Sequence, residues 1–180
     1  DLRKISGEIL EDELKKSITS LEKISNEKVQ GFRAPFFSIS KRNLDKFNII
    51  KKYFKYDSSI FPAKTPLYGI SDAPRFAYHF SSEAPLENNP DGDLLEIPPA
   101  TLKIPVYGNI PIAGGFYFRF LPIFLIKYGI NKLNKSGQHA MCYIHPKDLD
   151  KNMPIINSYS WHYYYNLKNA KSKFESILKN

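Results

Sequence analysis

Cysteine is almost missing from this sequence. Cys142 stands alone in 180 residues, which excludes an intrachain disulfide and any zinc site built on paired cysteines. Its place in the apolar run "HAMCYIH" reads as a buried packing position. Long hydrophobic runs are missing too. No stretch approaches the roughly 20 apolar residues a membrane helix needs, and "FLPIFLIKYGI" is short and broken by a lysine. There is no glycine-rich phosphate loop and no G-x-S-x-G elbow. His79, His139 and His162 lack the spacing of a self-contained zinc site. Acidic residues are the minority, 18 against 26 basic ones, for a net charge of +8. The lysines are spread through "EDELKKS", "KRNLDKFNIIKK" and "KNAKSK" with acids among them. Those segments read as solvated helix faces, whereas a nucleic-acid footprint clusters its charge.

The rest of the composition, 42% hydrophobic and 14% aromatic, supports one domain with a real core. In residues 8–24, Leu10, Leu14, Ile18 and Leu21 recur at helical spacing with charges between them, predicting an amphipathic helix. "KVQGFRA" predicts a short strand with Val29, Gly31 and Arg33 on one face. Ser40 is placed to cap a second helix through Leu44, Phe47 and Phe54, followed by a strand near "YFKYDSS".

Residues 62–115 are loop-rich, with turn signals in "NNPDGD" and "GNIP" and one strand candidate, "LLEIPPA". Pro122 suits the first turn of a third helix, closed near Gly137. "HAMCYIHP" alternates like a strand, and Leu167, Ala170, Phe174 and Ile177 keep helical spacing in a final helix. Alternating helices and strands predict an α/β fold with largely parallel strands, in which chemistry collects where strands end.

Arg33 and His145 are both strand-end residues in this reading. Arginine keeps its charge and needs an anion wherever it is buried. The candidates are a structural partner such as Asp57, a helix C-terminus, or a catalytic carboxylate. Histidine gives or takes a proton near neutrality, but a satisfied core or loop histidine fits the spacing as well.

Taken together, "VQGFRAPFFSIS", "FKYDSSIFP", "YGISDAPR", "LLEIPPAT", "IPIAGGFYFRFLP", "YIHPKDLD" and "HYYYNLKNAKSKFESIL" run through nearly the whole chain. In this order they resemble the NodB-like polysaccharide deacetylases, carbohydrate esterases of family four. The resemblance is to the branch found with bacterial exopolysaccharide biosynthesis. It implies a distorted (β/α) barrel of which residues 1–180 form a single catalytic-type domain, with 62–115 a loop-rich insertion. The implied activity is metal-dependent removal of N-acetyl groups from hexosamine units of a polysaccharide or its precursor.

By the same resemblance, Arg33 orients and ionises a catalytic aspartate, Asp57 steadies the active-site side chains, and His145 is the general acid that protonates the leaving amine. Pro35, Phe36 and Phe37 match a substrate-groove wall. Gly114, Gly115 and Tyr117 match a loop near the substrate.

The family's divalent metal, zinc by expectation, and its aspartate base sit on two motifs that precede the segment matched by residues 1–23. Nothing in residues 1–180 matches them, so no metal ligand is assigned here, and the chain by itself is expected to be inactive. The implied partner is an N-acetylated polysaccharide, with no nucleic acid and no membrane span. The same fold without chemistry, a carbohydrate-binding or assembly module, is the alternative. Bacterial cytoplasm and cell envelope both stay open as compartments, as does the oligomeric state.

Overall fold

Ser6 starts the first helix. Its hydroxyl accepts from the Ile9 N–H at 3.3 Å, and α1 (Gly7–Ser25) runs until Asn26, which turns left-handed and donates its N–H back to the Glu22 carbonyl. The computed structural model describes residues 1–112, 114–150 and 152–179. These form a mixed α/β protein with small sheets, divided into two compact units, Asp1–Pro98 and Pro99–Asn180. No closed barrel is formed among the described residues.

In the first unit, α1 buries Leu10 and Leu14 and packs Ile18 against the same core, while Leu21 faces outward. Each of the two buried leucines contributes about 1.5–3 kcal/mol, which a surface helix needs because helical propensity alone is marginal. Four strands follow, β1 (Gly31–Phe32), β2 (Tyr56–Asp57), β3 (Tyr78–Phe80) and β4 (Leu94–Glu96), in the order β1-β2-β4-β3. β1, β2 and β4 pair in parallel, as predicted, and β3 closes the edge antiparallel to β4. The glycine of "GFRAP" has a packing reason: a Cβ on Gly31 would lie 2.1 Å from the Tyr56 ring, which is its register partner on β2.

The second predicted helix is only one turn long, α2 (Phe47–Ile50), preceded by a 3₁₀ turn at Leu44–Lys46. Ser40 does not cap it. The Ser40 hydroxyl and N–H both bond Asn43 Oδ1, at 2.8 and 2.7 Å, which holds a turn and delays the helix. Lys46, expected on a solvated face, is buried, its ammonium donating to the carbonyls of Leu2 and Ile5. Phe47, Ile50, Ile60, Phe80 and Leu94 fill the center, with Phe47 and Phe80 rings 4.7 Å apart.

In the second unit, β5 (Thr101–Ile104) and β6 (Gly108–Pro111) form an antiparallel hairpin, so "GNIP" is strand rather than turn. A short helix, α3 (Gly115–Phe120), precedes α4 (Ile123–Lys135), with Pro122 one residue before it and Gly137 at φ 73° after it. α5 (Pro146–Leu149) is a single turn. The final helix, α6 (Leu167–Leu178), buries Ala170 with Phe118 and Ile126 and packs Phe174 and Ile177 beside them.

Residues 138–145 form no strand, against the expectation from their alternation. Alternation describes which way side chains point, but a strand also needs a backbone ladder. Ala100 N–H donates to the Met141 carbonyl at 2.9 Å, without an assigned ladder around it among the described residues. Cys142, expected to be buried there, is exposed.

Candidate functional site

Arg33 follows β1 directly. Its Nε donates to the Ser58 carbonyl at 3.0 Å and a terminal nitrogen to Ser58 Oγ at 2.8 Å, with the guanidinium 5.5 Å from the Phe37 ring centroid. Ser58 Oγ in turn donates to the Ile97 carbonyl at 2.6 Å. The arginine is thus laid across the C-terminal ends of β2 and β4.

Beneath it lies a pair of acids. Asp57 on β2 and Glu96 on β4 are register partners on adjacent parallel strands, and both are fully buried. Burial pushes the Asp57 carboxyl up to about 6, against the pull of hydrogen bonds from Glu96 and Ser59. Burial, then the charge of Asp57, holds Glu96 well above the usual carboxylate range. Two like charges cannot both ionise here, so the pair keeps a proton, held at Glu96.

The unprotonated partner is well supplied with donors. Ser59 N–H reaches Asp57 Oδ1 at 3.0 Å and Ser59 Oγ donates to Oδ2 at 2.7 Å. Ser59 Oγ itself accepts the Ala34 N–H at 2.7 Å. Asp57 therefore steadies the backbone next to Arg33 through one serine, from within the core.

The predicted groove wall divides. Pro35 and Phe36 are exposed, Phe36 at 72% and with φ 60°. Phe37 is buried, its ring 4.9 Å from Phe61 and 5.3 Å from Tyr68. It serves as core and as a platform under Arg33, and it does not line a groove, because the left-handed turn at Phe36 (φ 60°) and Phe37 (φ 49°) folds it inward.

In the second unit the chemistry centers on His145, the residue preceding α5. Asp148, three residues on, accepts the His145 N–H at 3.1 Å and gives its own N–H to the His145 carbonyl at 2.9 Å, a reciprocal cap over Pro146. The same Oδ2 lies 3.3 Å from His145 Nδ1. An ionised carboxylate only accepts, so Nδ1 carries the hydrogen and Nε2 is left with a lone pair on a side chain that is 50% exposed.

Asp148 Oδ1 faces the Nε of Arg119 at 3.1 Å, with both side chains almost completely buried. Burial pushes the Asp148 carboxyl up, but the bonds from His145 and the Arg119 charge outweigh it and hold it below its ordinary value. The other nitrogens of Arg119 bond the carbonyls of His162, Tyr163 and Tyr165 at 3.2, 3.0 and 2.7 Å. They hold a ring-rich loop in which Trp161 is 66% exposed. Lys147 sits 3.4 Å above the Tyr163 ring.

Gly114 and Gly115 are buried against Tyr143, where a Cβ on Gly114 would lie 2.2 Å from the Tyr143 carbonyl oxygen. They are packing residues that bring α3 under residue 143, and they present no surface to a substrate. Tyr117 is half-buried, its ring 5.9 Å from Phe116.

The sequence-predicted residues therefore fall into two sets: Arg33, Pro35, Phe36, Phe37 and Asp57 in the first unit, and Gly114, Gly115, Tyr117 and His145 in the second. Glu96, Asp148 and Arg119 escaped sequence reasoning. Asp148 carried a readable signal, the H-P-x-D spacing of a capping box. Glu96 and Arg119 carried a weaker one, a single charge inside "LLEIPP" and "GFYFRF". Among the described residues no three His, Cys, Asp or Glu side chains are grouped as a metal site requires, and no helix is long and apolar enough to cross a membrane.

No curated protein and no solved structure matches the chain. A family model described as a domain of unknown function, DUF3473, matches residues 58–180, a span that takes in Glu96, Arg119, His145 and Asp148 and begins one residue after Asp57. By that match over more than half its length, the chain belongs to the DUF3473 family.

Proposed function

We propose that the chain is part of a polysaccharide deacetylase that removes N-acetyl groups from hexosamine units. The observation that carries this reading is the His145–Asp148 pair: an imidazole held at Nδ1 by a buried carboxylate, with its half-exposed side chain leaving Nε2 for a substrate. Such an imidazole, once protonated, delivers the proton that an amine needs to depart. Arg33 is the residue offered to an ionised carboxylate, and its hydrogen bonds to Ser58 fix the direction of the guanidinium. The resemblance of "GFRAP", "YDSS" and "YIHP" to the NodB-like deacetylases supports the assignment.

In that family a divalent metal, zinc by expectation, polarises the acetamide carbonyl and supplies activated water. The described residues do not offer a site for it, so the roles assigned to this chain are confined to Arg33, His145 and their supports.

The test is acetate release from N-acetylglucosamine oligomers by the full-length protein, with zinc, beside Arg33→Ala and His145→Ala. Removal of a general acid costs about 10²–10⁴-fold, so His145→Ala is expected to lose at least about 100-fold. Silence of the full-length protein across several acetylated glycans, or full activity of His145→Ala, refutes the reading.

A second reading is a glycan-binding module without chemistry. It is favoured by the ring cluster Phe116, Phe120, Trp161 and Tyr165, with centroids 5.3–6.0 Å apart among contacting pairs and three of the rings exposed. Glycan binding unaltered by chelator, without acetate release, selects it.

A further inference from the structure

Arg119 is the least expected residue of the second unit, a guanidinium almost wholly buried on a six-residue helix of otherwise apolar side chains. Burying a cation is costly unless every donor is answered. Its terminal nitrogens are answered by three carbonyls of the 162–165 loop. A clamp on that loop needs nothing more, yet Nε, which has no hydrogen-bond partner among the described residues, lies 3.1 Å from Asp148 Oδ1 as an ion pair. Asp148 is thereby divided, one oxygen toward Arg119 and the other toward both the backbone N–H and the ring Nδ1 of His145.

A carboxylate held only from the His145 side is free to turn about its own axis. Hydrogen-bonded on the His145 side and drawn by the Arg119 charge on the other, its plane is restrained, and with it the Nδ1 hydrogen and the direction of the imidazole. The other charge near the pair is Lys147, drawn over the Tyr163 ring and so kept off the carboxylate.

We infer that Arg119 is a positioning residue: through Asp148 it sets the tautomer and aim of His145, and through the 162–165 carbonyls it ties that aim to the aromatic loop. The catalytic half of this statement rests on the deacetylase reading, but the tautomer half does not. Partners that orient a functional histidine typically matter by about 10- to 100-fold in activity.

The experiment is long-range ¹H–¹⁵N correlation of the imidazoles in ¹⁵N-labelled full-length protein, with His145 identified by His145→Gln. Arg119→Gln and Arg119→Lys are compared at a pH where the ring is neutral, alongside kcat and KM for acetate release. The wild type is expected to show hydrogen on Nδ1. Arg119→Gln is expected to shift His145 toward the Nε2–H form and to lower kcat about 10- to 100-fold with KM within about twofold. Arg119→Lys, which keeps the charge but not the fork, is expected to fall between the two.

A His145 tautomer unchanged in folded Arg119→Gln overturns the inference. If that variant does not fold, an unchanged tautomer in both Arg119→Lys and Asp148→Asn overturns it instead. A shifted tautomer with no acetate release from any variant keeps the positioning role and removes the deacetylase. Acetate release with kcat unchanged in Arg119→Gln does the reverse.

Discussion

Replacing Glu96 with Gln isolates the buried acid pair of the first unit. Glu96 is held protonated by burial and by the charge of Asp57, whereas in the unfolded chain it ionises near 4.5. For an acid whose folded value is raised, the folded state binds more protons than the unfolded one. Its stabilising contribution is therefore complete below the unfolded value and is lost as pH rises toward the folded value.

Between the unfolded and the folded value the folded protein holds one proton at Glu96 that the unfolded chain has released. Each pH unit within that window then costs about 1.4 kcal/mol. Glu96→Gln keeps the shape but has no proton to lose. Asp57, raised from 3.8 to about 6 chiefly by burial, gives both proteins a common decline from about pH 4 to 6, which cancels in the difference.

Urea denaturation followed by far-ultraviolet circular dichroism at half-unit steps is the assay, with the two proteins compared at each pH. The difference in unfolding free energy, variant minus wild type, is expected to rise by about 1.4 kcal/mol per unit. Parallel profiles would show that Glu96 is ionised in the fold and would refute its description as the protonated member of the pair.

Two other substitutions probe the supports. Ser59→Ala leaves the Ala34 N–H and Asp57 Oδ2 without their common hydroxyl. It is expected to cost about 1–3 kcal/mol and to speed amide exchange at Ala34, and unchanged exchange there would count against the relay. Gly114→Ala puts a methyl group into the Tyr143 backbone at φ 90° and ψ 178°, a region open essentially to glycine alone. A loss of more than about 1 kcal/mol is expected, read as a lowered thermal midpoint, and an unchanged midpoint would contradict the packing described for the two glycines.

What the sequence made legible was whatever repeats locally. α1 and α6 were legible because their apolar residues recur every three or four positions, and a face that must be buried advertises itself at that period, whereas α4 showed itself by Pro122 at its start and Gly137 after its end. The parallel strands around Gly31 and Tyr56 were visible through neighbouring helices and turn residues. Residues 138–145 show the converse. Their alternation is as clean as that of any strand, but pairing is a property of the neighbour, and no strand is formed there among the described residues. Four shorter elements in 62–120, β3, β5, β6 and α3, are too brief for a period to register.

The candidate site follows the same division between local and distant causes. His145 and Arg33 could be singled out because each sits beside a proline-containing turn after an apolar run, and Asp148 was within reach of a local capping pattern. The role of Glu96 depends on Asp57, 39 positions away and brought alongside only by parallel pairing. That of Arg119 depends on carbonyls 43 to 46 positions away. A charged side chain inside an apolar segment announces that a partner exists without naming it, since the partner is chosen by topology. Such charges are still the places to look first, because their burial is tolerable only if the fold has already met its cost. In this chain three of the buried charged residues, Lys46, Glu96 and Arg119, each brace a segment distant in sequence: the amino-terminal turn, the Asp57–Ile60 stretch and the ring loop beside His145.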